Sequence, residues 1–100
     1  MPAFSEEGYL INPEEWTEEI AETMAWRDGI ELTADHWELL RFVRAWYTEH
    51  GVAPSPRDVG LFLKRQGHSG ARLHELFPYG YVGQVCRIAG MKRPRSWSTG

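Results

Sequence analysis

The sequence predicts a mainly α-helical protein with about five helices, a short N-terminal β-hairpin or strand remnant and a flexible C-terminal arm. Apolar residues recur at helical spacing in successive segments, and capping residues precede several of them. Hydrophobic residues make up 42% of the 100 residues, which suffices for one modest core. Past Gly90 the periodicity ends and the chain becomes cationic. Residues 1–90 are therefore expected to form one domain, and residues 91–100 an arm.

The first elements follow from local patterns. Residues 4–11 place a turn-like EEG between apolar ends, which predicts a short strand or hairpin remnant. Asn12 and Pro13 then predict the start of a helix, because Asn caps helices and Pro suits the first turn. The apolar stripe of this helix is Trp16, Ile20 and Met24, and the helix should end before Asp28-Gly29.

The second helix is predicted to be the longest and the most central. Thr33 caps it, it runs to about His50, and Gly51 ends it. Its apolar residues follow the i, i+3, i+4, i+7 pattern: His36, Leu39, Leu40, Val43, Trp46 and Tyr47. Trp37 and Phe42 widen this face, so we expect neighbours on more than one side.

Three shorter helices complete the predicted body. Ser55 caps the third helix, whose inward residues are Val59, Phe62 and Leu63. A fourth helix spans residues 71–77 and stops at Pro78. The last helix spans residues 81–89, and its inward residues are Val82, Val85, Ile88 and Ala89.

Charge is distributed unevenly along the chain. Residues 1–50 carry twelve acidic against three basic side chains, a net charge of −9, and residues 51–100 carry a net charge of +6. This asymmetry is typical either of two faces with different partners or of an unevenly charged solvated surface. We expect a cytoplasmic protein without a membrane segment, because the chain shows no span-length apolar run, no signal-peptide pattern and one cysteine.

The single cysteine, Cys86, has two interpretations. A lone cysteine on an apolar helix is usually a small buried hydrophobic residue. Cys86 lies one position off the inward stripe and next to Arg87, however, so its thiol could reach the helix edge, where cations favour the reactive thiolate. A helix C-terminus disfavours the thiolate. The sequence leaves a thiol or persulfide site at an accessible Cys86 as a hypothesis.

Other kinds of chemistry have little support. The four histidines show no metal-ligand spacing, and His36 lies on the core stripe of the second helix. No catalytic triad order, phosphate-binding glycine loop or paired-carboxylate pattern stands out. We therefore predict no cofactor, no metal and no self-contained enzyme active site.

Two basic clusters could bind partners. The first resembles a helix-turn-helix in outline and predicts DNA contacts through Arg57, Lys64, Arg65 and Arg72, although the chain is acidic overall. The second lies at and beyond the last helix, where Arg87, Lys92, Arg93 and Arg95 could bind an acidic partner or an anion. Trp97 could anchor the arm in a partner pocket, or it is a frayed aromatic at a chain end.

Several uncommon sequence pieces occur together and in order. They are EEGYL (residues 6–10), GIELTADHWELLRFVRAWY (29–47), the GVAPSPR turn (51–57), LHELFPYG (73–80) and QVCRIAGMKRP (84–94). In these pieces the chain resembles the DsrC/TusE family, the gamma subunit of dissimilatory sulfite reductase and the related sulfur-relay proteins. The resemblance extends from about Phe4 to Pro94. Together with the helix pattern it predicts a small orthogonal helical bundle with an N-terminal hairpin and a flexible arm.

The resemblance also implies a function. In the family the arm enters a partner such as dissimilatory sulfite reductase or a sulfurtransferase, and a cysteine near its tip carries sulfur as a persulfide. Cys86 matches a second cysteine at the arm's root, but the tip cysteine would fall near Trp97, where this chain has none. The resemblance thus implies an adaptor, a regulator or a degenerate sulfur carrier. The alternative is a DNA-binding regulator that responds to sulfur or redox state.

Overall fold

The computed structural model describes residues 3–92, which are mainly helical. Within this range the α-helices are α1 (Glu18–Arg27), α2 (Ala34–His50), α3 (Pro56–Arg65), α4 (Arg72–Leu76) and α5 (Cys86–Ile88). A 3₁₀ turn (Pro13–Glu15) precedes α1, and a π-helical stretch (Tyr81–Val85) runs directly into α5. The predicted mainly α-helical class is confirmed. In the described part of the chain, every helix is too short or too polar to cross a membrane.

The N-terminal segment forms one antiparallel bridge between Phe4 and Leu10. The Ser5 N–H donates to the Tyr9 carbonyl at 2.7 Å, and the Tyr9 N–H donates to Ser5 Oγ at 3.1 Å, which closes the turn between them. Tyr9 and Leu10 are 6% and 0% exposed, so this small element packs onto the helices that stabilise it. The expected hairpin remnant is present.

The first helix differs from its prediction, because it is divided into two elements. Asn12 caps only the 3₁₀ turn, and its Oδ1 accepts from a backbone N–H two residues along. Thr17 caps α1 instead, with its Oγ1 accepting from the Ile20 N–H at 3.2 Å. Trp16 therefore lies between the two elements and does not continue the stripe of α1. Its extended backbone lets the indole reach the C-terminal helix.

Helices α2 and α3 begin and end close to where the sequence predicts. The Thr33 N–H donates to His36 Nδ1 at 3.0 Å at the start of α2, and Ser55 and Asp58 form a capping box at the start of α3. The inward residues of α2 include Leu39, Leu40 and Val43, each 0% exposed. Phe42 of α2 stacks on Phe62 of α3 with ring centroids 4.2 Å apart.

The most deeply buried element is the C-terminal helix, whereas the sequence predicted α2 as the centre. The buried residues along 81–91 occupy nearly every face, including Tyr81, Val82, Val85, Cys86, Ile88, Ala89 and Met91, each at most 3% exposed. Helix α2 keeps one side toward solvent, as expected for an amphipathic helix. A short segment that is apolar on almost all faces gains most by lying inside the bundle.

Candidate functional site

The candidate site is the end of the C-terminal helix, which we define as residues 81–91 and which directly precedes the predicted arm; we call this helix end the root. The helix ends in a Schellman motif: the Gly90 N–H donates to the Arg87 carbonyl at 3.1 Å and the Met91 N–H donates to the Cys86 carbonyl at 2.9 Å. Gly90 has a φ of +78°, which glycine adopts most readily. Met91 is 1% exposed, so the body extends one residue past the expected boundary at residue 90.

Two side chains from distant parts of the sequence bind the carbonyls that this helix end leaves open. Trp16 Nε1–H donates to the Ile88 carbonyl at 2.8 Å. Arg44 donates to the Ala89 carbonyl at 2.8 Å and to the Pro13 carbonyl at 2.9 Å. A guanidinium at a helix C-terminus also complements the helix dipole.

Trp16 and Arg44 also contact each other. The Arg44 guanidinium lies over the Trp16 ring, 4.4 Å from its centroid, in a cation–π geometry. Burial lowers the pKa of Arg44 from its usual range, but at neutral pH an arginine still carries its charge. Trp16, Arg44 and the Gly90 turn together hold the end of the C-terminal helix in one place. Sequence reasoning missed Trp16 and Arg44 as site residues.

Cys86 lies directly at this root, but its thiol is inside the core. The residue is 0% exposed, and burial raises the pKa of the thiol to about 12, an effect that the hydrogen bond with the Tyr81 hydroxyl only partly offsets. At neutral pH the reactive thiolate would then be on the order of one molecule in 10⁵. The expectation that the thiol is accessible is wrong. Cys86 lies off the predicted inward stripe, but it is still buried because the helix is covered on nearly all sides.

Tyrosines fix the same helix from other directions. Tyr81 donates its hydroxyl proton to the Pro54 carbonyl, and burial raises the pKa of Tyr81 far above its usual value of 10.0. The Tyr9 hydroxyl donates to the Val82 carbonyl at 2.7 Å. These bonds tie the start of the C-terminal helix to the α2–α3 connection and to the N-terminal turn.

Arg87, predicted as an anion-binding residue, lies against a carboxylate of its own chain. Its guanidinium forms an ion pair with Asp28, the residue that ends α1. The Gln84 side chain, 0% exposed, donates to the same Asp28 oxygen at 3.0 Å and accepts from the Tyr79 N–H at 3.0 Å. The charge of Arg87 is thus compensated within the body, and it is not directed at Cys86.

The remaining predicted arm residues lie at or beyond the edge of the described chain. Lys92 is exposed, immediately after the buried Met91. Arg93, Arg95 and Trp97 lie outside residues 3–92, and their roles stay predictions.

The structure separates the basic residues of the predicted DNA-binding cluster into two environments. Arg57, Lys64 and Arg65 are exposed on α3. Arg72 instead pairs with Asp35 of α2 at 2.6 Å and with Glu75 at 3.1 Å. The Arg72 guanidinium lowers the pKa of Asp35, as expected for a carboxylate that accepts a charged hydrogen bond. Arg72 therefore joins α4 to α2, and its charge is compensated by two carboxylates of the same chain.

His36 is a packed histidine, as the sequence predicted. Its Nδ1 accepts from Thr33, so Nε2 carries the proton and donates to the Leu76 carbonyl at 2.9 Å. Its ring meets Phe77 edge-on at 5.1 Å. Burial lowers the pKa of His36 below 6.5, which favours this neutral form. Within residues 3–92, no three His, Cys, Asp or Glu side chains are grouped so that they could hold a metal ion.

Among the described residues, this site offers no accessible thiol. The thiol of Cys86 is buried, and the guanidinium groups of Arg44 and Arg87 bind protein oxygens. What the geometry provides is a closely packed helix end, fixed by hydrogen bonds up to Met91.

Comparison with known proteins agrees with this architecture. A family model described as DsrC like protein matches residues 2–97. The sulfurtransferase TusE of Salmonella choleraesuis is 41% identical over 93 residues, spanning 88% of this chain and 84% of TusE. The oxidized gamma-subunit of the dissimilatory sulfite reductase (DsrC) from Archaeoglobus fulgidus has a TM-score of 0.84 at 37% identity, covering 93% of this chain and 89% of that one. DsrC of Allochromatium vinosum has a TM-score of 0.81 at 37% identity, covering 93% and 87%. The chain therefore belongs to the DsrC/TusE family, as its motifs predicted.

Proposed function

We propose that this protein is an adaptor or regulator of cytoplasmic sulfur metabolism that docks its C-terminal segment on a sulfurtransferase or sulfite reductase partner and carries no sulfur itself. The observation that carries the proposal is the burial of Cys86, the only cysteine of the chain, with a pKa raised to about 12. The names of the relatives, a sulfurtransferase and a sulfite reductase gamma-subunit, support the choice of pathway.

The sequence at the position expected for the sulfur-carrying cysteine supports the same proposal. The family resemblance implies a persulfide-carrying cysteine near the end of the arm, and this chain has RPRSWSTG there. A persulfide forms when a thiolate attacks a sulfane sulfur, so the acceptor must be ionised and accessible. Cys86 is neither, which favours the adaptor and regulator roles over a degenerate carrier.

The segment retains features suited to docking. Lys92, Arg93 and Arg95 place three positive charges within four residues, and Trp97 follows. Positive charges attract a segment to an acidic binding pocket on a partner, and Trp is favoured at interface hot spots. The rigid root supports binding, because a segment that starts from a fixed point has fewer arrangements to lose.

Sulfur loading tests the first half of the proposal. Native protein is treated with a polysulfide donor, and its intact mass is measured beside a Cys86→Ser control and a urea-unfolded sample. We expect no added sulfur on the native chain and Cys86-dependent addition on the unfolded chain. Efficient loading of the native protein, absent from Cys86→Ser, would restore a carrier role.

Pull-down with a purified sulfurtransferase or sulfite reductase tests the second half. We expect a chain ending at Lys92 to lose binding, and Trp97→Ala and Arg93→Gln/Arg95→Gln variants to bind more weakly than Cys86→Ser. Equal binding of the truncated and complete chains would show that the segment is not the docking element.

A further inference from the structure

A second surface suited to binding lies at the end of α1, away from the root. An open pocket of about 490 Å³ is formed by Glu22, Thr23, Trp26, Ile30, Glu31 and Leu32; we call it the Trp26 surface. Trp26 is 79% exposed, whereas Ile30 and Leu32 pack against the core beneath. An exposed tryptophan above an apolar floor is typical of a protein-binding hot spot.

The backbone around Trp26 is held in place before any partner binds. A second Schellman motif ends α1: the Gly29 N–H donates to the Trp26 carbonyl at 3.0 Å, and the Ile30 N–H donates to the Ala25 carbonyl at 2.8 Å. Trp26 and Ile30, which both line the pocket, are therefore connected by one hydrogen-bonded turn. A surface with a fixed backbone binds at a lower entropic cost than a loop that must be ordered.

The charge of the pocket lining indicates which kind of segment can bind there. The charged side chains that line the pocket, Glu22 and Glu31, are both acidic, which disfavours nucleic acids and anionic lipids. The complementary chemistry is a segment that joins positive charges to an aromatic anchor. The chain itself contains such a segment: residues 92–100 read KRPRSWSTG, and no acidic residue follows Glu75.

We propose that the Trp26 surface binds residues 92–100 of a second copy of this chain, and that two copies exchange these segments reciprocally in a weak dimer. Gly90, two residues before this segment, lies beside Trp16, which precedes α1, whereas Trp26 lies in the last turn of α1. The reciprocal arrangement forms two contacts per dimer and closes on itself, so it does not propagate into fibres. This inference stands independently of the sulfur partner.

Sedimentation equilibrium of the complete protein tests the proposal over concentrations up to about 1 mM, because an interface below standard size binds weakly. We expect the average mass to rise towards that of a dimer. Trp26→Ala should weaken the association by about tenfold or more. Tyr79→Ala is the matched control, since Tyr79 is also exposed, at 69%, but lies elsewhere, and it should leave the association unchanged. A monomer at every concentration, or equal behaviour of the two variants, would overturn the proposal.

A charge exchange distinguishes the second copy from the chain's own body. Glu22→Arg/Glu31→Arg and Arg93→Glu/Arg95→Glu should each remain monomeric alone, whereas an equimolar mixture should form a heterodimer through restored complementarity. A mixture that stays monomeric would overturn the proposal, as would a concentration-independent contact between segment and surface within one chain. The pull-down on a sulfur partner is read separately, because Trp26→Ala leaves the segment itself intact.

Discussion

Replacing Gly90 by alanine tests whether the root is as tightly packed as the structure shows. A Cβ at this position would lie 2.4 Å from Cδ1 of Trp16 and 2.8 Å from its Cγ, distances that real Cβ atoms do not reach. The Trp16 ring would have to move, and its hydrogen bond to the Ile88 carbonyl would be lost. The variant should therefore destabilise the fold at the end of the C-terminal helix.

Gly29→Ala is the matched control, because Gly29 has the same φ of +78° and occupies the same position in a Schellman motif, but nothing lies within 4 Å of its Cβ. Both variants suffer the left-handed backbone penalty of about 1–2 kcal/mol. Gly90→Ala adds about 1–3 kcal/mol for overpacking. It also loses a hydrogen bond that contributes about 1 kcal/mol. We expect it to lower the free energy of unfolding by about 2–4 kcal/mol more than the control does.

Urea unfolding followed by far-UV circular dichroism measures this difference, and the Tm values should differ by about 10 °C or more. Trp16→Phe provides an independent check, because it keeps an aromatic ring but removes the indole N–H. Its free energy of unfolding should lie between those of the wild type and Gly90→Ala. Equal destabilisation by Gly90→Ala and Gly29→Ala would show that Trp16 does not pack on the turn, and the rigid root would have to be abandoned.

Three further predictions concern Cys86, His36 and the basic face of α3. Iodoacetamide should alkylate Cys86 roughly 1,000-fold or more slowly in the native protein than in urea, because burial raises the pKa of the thiol from 9.0 to about 12; similar rates would contradict its burial. Burial lowers the pKa of His36 below 6.5, so the unfolded chain binds the proton first as the pH falls. The free energy of unfolding should then decrease as the pH drops below about 6.5, and His36→Gln should lose that component; an unchanged slope in the variant would assign the effect to other groups. In gel-shift experiments at physiological salt, we expect at most weak and sequence-independent DNA binding, because Arg72 is paired with Asp35 and Glu75. Tight binding to one sequence, lost in Arg57→Gln/Lys64→Gln, would support the DNA-binding alternative.

Local chemistry accounts for the parts of the fold that could be predicted. Ser55 begins α3 because its Oγ accepts from the Asp58 N–H, Thr33 begins α2 because its backbone N–H binds the His36 ring, and Gly51 ends α2 because it adopts the left-handed conformation. The error at Asn12 and Thr17 has a local cause as well. Both are good N-caps five residues apart, and the apolar spacing of Trp16 and Ile20 favoured the earlier one. Thr17 followed by two Glu residues was the signal that could have identified the true start.

The candidate site could not be predicted from local sequence patterns, because it depends on contacts between residues that are far apart in the sequence. The bond from Trp16 to Ile88 joins residues 72 positions apart, and that from Arg44 to Ala89 joins residues 45 apart. Arg44 looks like any solvent-facing residue of an amphipathic helix until the end of the C-terminal helix is placed beside it. The burial of Cys86 was missed for a related reason: helical periodicity describes a helix with one buried face, and this helix is covered on nearly all sides.

One substitution tests whether Cys86 has a structural role alone or also a chemical one. The Cys86 side chain fills space in the core, and its backbone carbonyl accepts from the Met91 N–H, so the residue contributes to packing at the root. Cys86→Ala removes the sulfur and leaves a small cavity, and we expect a loss of about 1–2 kcal/mol of stability. Binding to the sulfur partner should not change at temperatures where the variant is folded, because the backbone bond to Met91 remains. If sulfur transfer fails in a fully folded Cys86→Ala protein that still binds the partner, the thiol must take part in the transfer, and the chain would act as a carrier whose thiol becomes accessible only in the complex.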